Sequence, residues 1–131
     1  MTPPGHRPRP GGLAERRLRL RRGIGAETLA AGLLMLKGYR ILARRHRTPF
    51  GEIDIIAARR DRIAFVEVKR RRTLEDAEAS LTPHQAGRIA RAADAWLALH
   101  TGYLAREIGL DAVLVVPGHW PRYIPNALDQ R

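Results

Sequence analysis

The chain has 131 residues, a net charge of +11 and no cysteine, which bounds it to one domain's worth of core and excludes disulfides, thiolate zinc sites and thiol nucleophiles. Its longest apolar stretch, LAAGLLML at residues 29 to 36, falls far short of the roughly 20 residues of a membrane span. No apolar run follows the basic N-terminus as a signal peptide requires, so a cytoplasmic protein is expected.

Residues 1 to 22, rich in Pro, Gly and Arg, carry seven arginines against one acid, Glu15, and read as a disordered basic arm. The remainder, residues 23 to 131, reads as the folded domain. A helix is expected over residues 24 to 37, with a stripe of Ala26, Leu29, Ala30, Leu33 and Leu36 and with Gly38 to end it. YRILARRHR, residues 39 to 47, reads as a first strand and TPFG as a turn. Residues 52 to 58 and 63 to 70 then form a hairpin about RRDR. TLEDAEAS reads as a polar loop. LTPHQAGRIARAADAWLALH reads as a second amphipathic helix with Gln85, Ile89, Ala92, Trp96 and Leu99 toward the sheet. GLDAVLVV, residues 109 to 116, is a buried strand, and RYIPNAL offers a short edge strand. The order describes a small α/β protein, a mixed sheet of four to five strands flanked by helices.

The hairpin carries the chemistry. Side chains alternate with period two, so Glu52 and Asp54 share a face, as do Glu67 and Lys69. A turn centred between Arg60 and Asp61 makes paired positions sum to 121, setting Asp54 opposite Glu67 and Glu52 opposite Lys69. Like charges directly opposite destabilise a sheet, and two half-buried carboxylates cannot both ionise comfortably without help. A divalent cation compensates them, because Mg²⁺ accepts one or two carboxylates and keeps other positions for water and phosphate oxygens. A salt-bridged hairpin, with Lys69 neutralising both acids, is the competing account. Lys69 is one of only two lysines in a chain that otherwise uses arginine, and a compact ammonium suits a metal site better than a bidentate guanidinium.

GEIDIIA followed by IAFVEVKRR resembles the spaced D…ExK signature of the PD-(D/E)XK nuclease superfamily, and in detail the YraN family of small bacterial endonuclease-like proteins, relatives of archaeal Holliday junction resolvases. GAETLAAGLLMLKGYRILARRHR, LTPHQAGRIARAADAWL and LDAVLVV are similar to that family's leading helix and first strand, second helix and later strand. The resemblance covers about residues 23 to 127. It implies a restriction-endonuclease-like fold and a Mg²⁺- or Mn²⁺-dependent endonuclease acting on DNA, on branched or damaged structures. Asp54 and Glu67 are then metal ligands, the Val68 backbone carbonyl a third, and Lys69 the catalytic lysine. Glu27 matches a helix glutamate directed toward the metal, although on residues alone it only flanks the apolar stripe, where a solvated helix acid is the commoner explanation. Glu52 is a further ligand or, preferably, the partner of Lys69. The family commonly has lysine where this chain has Gln85, and Arg-Phe-Asp where it has Gly109-Leu110-Asp111, departures that bear on DNA contacts more than on metal. Asp111, at the start of a buried strand, reads as a structural acid. Resolvases of similar fold work as dimers, so the resemblance raises a homodimer.

The charge of +11 attracts polyanions in a salt-dependent way, with nucleic acid, DNA above all, as the expected partner and no membrane. A GC-rich genome would also enrich arginine. Arg44, Arg45 and Arg47, Arg59, Arg60 and Arg62, and Arg70, Arg71 and Arg72 fall at strand ends and turns, where together they could track phosphates. Phe50, Trp120 and Tyr123 are the stacking candidates, too few for a single-strand platform, and Trp96 belongs to the core. The five histidines lack metal-ligand spacing, and no Walker-type loop occurs. A noncatalytic nucleic-acid-binding protein that keeps the nuclease fold is the alternative. It would need the arginines but not the acids.

Overall fold

The computed structural model describes residues 25–129, so the arm expected over residues 1 to 22 lies outside the described residues. The first helix, α1, runs over residues 25–36 and ends at Gly38, whose φ of +91° suits a left-handed helix stop. Its buried apolar residues are Ala26, Ala30, Ala31 and Leu34, and Glu27 is buried with them, whereas Leu29 and Leu36 of the expected stripe are exposed.

Five strands match the sequence expectation: β1 (Arg40–Thr48), β2 (Gly51–Arg59), β3 (Arg62–Arg70), β4 (Glu107–Val115) and β5 (Arg122–Ile124). They lie in the order β1-β2-β3-β4-β5, antiparallel except for the parallel pair β3 and β4. A parallel pair needs a crossover, supplied here by α2 (Leu74–Ala79) and α3 (Pro83–Leu99). The stretch read as a polar loop is therefore α2. Thr73 caps it by accepting from the Asp76 backbone N–H, acids fill its first turn and Ala77 is buried, a Thr-x-x-Asp start that favours helix.

Helix α3 begins on the Thr82 cap with Pro83 in its first turn. It packs Ile89, Ala92 and Trp96 against Ile56, Ala58, Ile63 and Phe65 on one face of the sheet, while Leu99 points away, exposed. On the other face α1 covers Ile55, Ala57, Ala64 and Val66. Consecutive residues of β2 and β3 are thus buried on both sides, which explains their near-continuous apolar runs.

Candidate active site

The hairpin register is the one expected. Arg59 pairs with Arg62, and successive rungs run to Ile55 opposite Val66, each summing to 121. There the ladder stops. Ile53 packs toward α3 and Ile55 toward α1, although regular alternation would put residues two apart on one face. The strand is twisted at Asp54, and β2 peels away from β3. In place of the next rung, the Asp54 carboxylate accepts the Val68 backbone N–H at 2.7 Å. Because N–H and C=O of one strand residue point the same way, the Val68 carbonyl opens toward the same gap.

Glu67 and Lys69 are buried, with Lys69 Nζ 3.4 Å from Glu67 Oε2. Burial first, then the neighbouring Glu67 and Glu27 carboxylates, push Asp54 up to about 7, against the lowering effect of the Val68 N–H. The opposed acids expected from the register do meet. Folded protein without metal holds a proton at Asp54 that the unfolded chain gives up near pH 4. That contribution to stability is complete below pH 4 and is lost as the pH rises to about 7. Asp54→Asn, which keeps the Val68 hydrogen bond without ionising, is expected to gain about 2 kcal/mol over the native chain between pH 5 and pH 8. Thermal melts in chelator at the two pH values check this, and a gap that does not widen with pH contradicts it.

Glu52 is not the partner of Lys69. With β2 and β3 splayed, position 52 is carried away from position 69, and its carboxylate lies 3.8 Å from Arg47 instead. Glu27 does face the site from α1, but Arg44 Nε and Arg45 Nε hold its two oxygens at 3.1 and 3.0 Å. Neighbouring residues of a regular strand point to opposite faces. Arg45 reaches the same carboxylate as Arg44 because its φ is +52°, a left-handed conformation costing roughly 1 kcal/mol. Arg70, Arg71 and Arg72 are exposed where β3 leaves the site.

The arginines of the other strand end do not join this group. Arg59, Arg60 and Arg62 flank the hairpin turn, about 17 Å along β2 from Asp54. Arg62 is buried: it holds Asp111 through both nitrogens, with Nη2 to Oδ1 at 2.9 Å, and also donates to the hydroxyls of Tyr39 and Tyr123. The hydroxyl of Tyr123, a half-buried residue, is therefore engaged in this network. Asp111, fully buried, is the structural acid that was expected.

Two residues of α3 complete the site. Arg88 donates from Nη2 to Glu67 Oε2 at 3.0 Å and from Nη1 to the Glu52 carbonyl at 3.1 Å. Sequence reasoning missed it. Its only signal was a charge beside Ile89 on the apolar face of the helix. Gln85, one turn earlier on that face, has a buried Oε1 without a hydrogen-bond partner.

The family model described as "Uncharacterised protein family UPF0102" matches residues 26–115. The chain belongs to the UPF0102 family. This is the YraN-like family expected from the sequence. The chain is 56% identical over 107 residues to a UPF0102 protein of Rhodopseudomonas palustris strain BisB5, covering 82% of each chain. It is 53% identical over 115 residues to one of Bradyrhizobium diazoefficiens, covering 88% of this chain and 86% of the other. A third, from Nitrobacter winogradskyi, is 52% identical over 107 residues, covering 82% and 91%. The UPF0102 match takes in Glu27, Asp54, Glu67, Lys69 and Arg88 and ends with β4, before Tyr123. No helix among the described residues is long and apolar enough to cross a membrane.

Proposed function

We propose that this UPF0102 protein is a Mg²⁺- or Mn²⁺-dependent endonuclease that hydrolyses DNA phosphodiester bonds, with branched or damaged DNA as its substrate. The observation that carries the reading is the opened hairpin, where Asp54 and Glu67 face each other beside the ammonium of Lys69. Their donor set fits a hard divalent ion, two carboxylates with a backbone carbonyl at hand. Among the described residues no three His, Cys, Asp or Glu side chains converge on one point. Mg²⁺ usually keeps several waters and takes only one or two carboxylates, so a two-carboxylate site is chemically sufficient for it.

Asp54, fixed by the Val68 N–H, and Glu67 would hold the ion, with the Val68 carbonyl as third ligand. A divalent ion supplies Lewis acidity toward a phosphoryl oxygen and neutralises charge in the transition state. Lys69 orients the attacking water or stabilises the charge that develops on phosphorus-bound oxygen. Glu27 assists from α1 once its arginines turn to phosphate. Arg44, Arg45, Arg47 and Arg70 to Arg72 flank this end of the sheet and supply backbone contacts that position the strand without reading sequence.

One observation favours a noncatalytic nucleic-acid-binding protein instead: Glu67 already has two cationic partners, Lys69 and Arg88. A cleavage panel of duplex, single-stranded, flapped and four-way DNA, with Mg²⁺, Mn²⁺ or chelator, separates the two. Metal-dependent cutting that Asp54→Ala abolishes while DNA binding persists is the expected outcome. Binding without cutting on every substrate would leave the noncatalytic reading standing.

A further inference from the structure

We propose that Arg88 is a displaceable counter-ion: a divalent cation at the carboxylate pair takes its place on Glu67, and the freed guanidinium binds a nucleic-acid phosphate. The proposal rests on the metal reading of Asp54 and Glu67 and adds to it a residue and a coupling between two ligands.

Arg88 reaches the site by a prepared route. Its stem crosses the backbone of Gly51, where a Cβ would lie 2.6 Å from Nη1 and 3.0 Å from Cδ. Gly51 also has a φ of +124°, so both its conformation and the passage above it call for glycine. Beyond Gly51 the guanidinium is anchored on the Glu52 carbonyl and ends on Glu67 Oε2. Its side chain keeps 27% exposure, against 6% for Glu67. A purely structural cation is not needed there, because Lys69 lies 3.4 Å from the same oxygen.

Charge drives the exchange. Two carboxylates, one ammonium and one guanidinium balance when all are ionised. A dication added to that set leaves a surplus of two positive charges in a half-buried site, where repulsion is several times stronger than in water. Movement of Arg88 to a phosphate relieves the surplus, and by linkage each ligand then favours the other.

Mn²⁺ titrated calorimetrically into the native chain, Arg88→Gln and Arg88→Lys, without DNA, tests the first half. Arg88→Gln is expected to bind Mn²⁺ about tenfold more tightly, and Arg88→Lys close to the native value. Arg88→Met, which fills the same passage without charge, serves if the glutamine variant does not fold. DNA binding in Ca²⁺ tests the second half: Arg88→Gln should bind about threefold or more weakly, with a salt slope shallower by about one. Unchanged or weaker Mn²⁺ binding by folded, uncharged variants overturns the counter-ion role alone. Tighter Mn²⁺ binding with unaltered DNA affinity overturns the phosphate role. No Mn²⁺ binding by any form removes the metal reading and this proposal together.

Discussion

Lys69→Met is expected to lower metal-dependent DNA cleavage at least about a hundredfold, the scale of losing one preorganised charge donor at a reacting oxygen, while the domain stays folded. Three features allow so selective an effect. Methionine keeps most of the buried stem of Lys69, whose packing matters as much as its charge. Glu67 is not left as an unpaired buried charge, because Arg88 Nη2 remains 3.0 Å from it. Asp54 keeps the Val68 N–H, so the carboxylate pair retains its geometry. Metal affinity should hold or rise, since a positive charge beside the carboxylates has gone. Single-turnover cleavage, melting temperature and Mn²⁺ binding, measured on one preparation, distinguish a chemical role from a structural one. A variant that cuts as fast as the native chain would remove Lys69 from the mechanism. One that melts far earlier would assign it to the salt-bridged hairpin.

The part of this site that the sequence made legible is the part set by local pattern. Period-two alternation and a loop centred between Arg60 and Asp61 fixed the pairing of Ile55 with Val66 and hence the meeting of Asp54 with Glu67. Position 52 escaped the same logic. At Asp54 the regular alternation breaks, with Ile53 packed on the α3 side and Ile55 on the α1 side, a tertiary arrangement with no local signature, and Glu52 lies beside Arg47 instead of Lys69. Arg88 was hidden for a different reason: in a chain with 24 Lys and Arg residues, one more arginine on an amphipathic helix carries little information. Helix α2 could have been found, since Thr73 and Asp76 form a capping pair at the right spacing. Arg62 misled because turn-flanking arginines are usually solvated, and only the register of β3 against β4 shows what it lies beside.

Arg62→Leu is expected to cost about 3 to 5 kcal/mol, the range for stripping one partner from a buried ion pair, and Gly109→Arg in the same chain to recover part of that loss. Asp111 is fully buried. It would keep the Tyr123 hydroxyl and the Asn126 backbone N–H but no cation within the pair. On β4, Gly109 stands opposite Ala64, two residues along from the rung of Arg62 and Glu107. A Cβ built at Gly109 would fall 2.0 Å from Arg62 Nη2 and 2.3 Å from Cζ. The guanidinium of Arg62 therefore fills the space that a side chain at 109 would occupy. It is held there by Asp111, Tyr39, Tyr123 and Asn126, so Gly109→Ala alone cannot be relieved by swinging a loose side chain aside, and overpacking of this kind costs about 1 to 3 kcal/mol. Residues 109 and 111 lie on one face of the strand, so an arginine at 109 reaches the same carboxylate. An arginine at 109 would then move the source of that cation from β3 to β4. Urea denaturation of the two single variants and the double variant measures the exchange directly. A double variant no more stable than Arg62→Leu would mean that the space is shared but the charge is not, and Gly109 would then answer only to the bulk of Arg62.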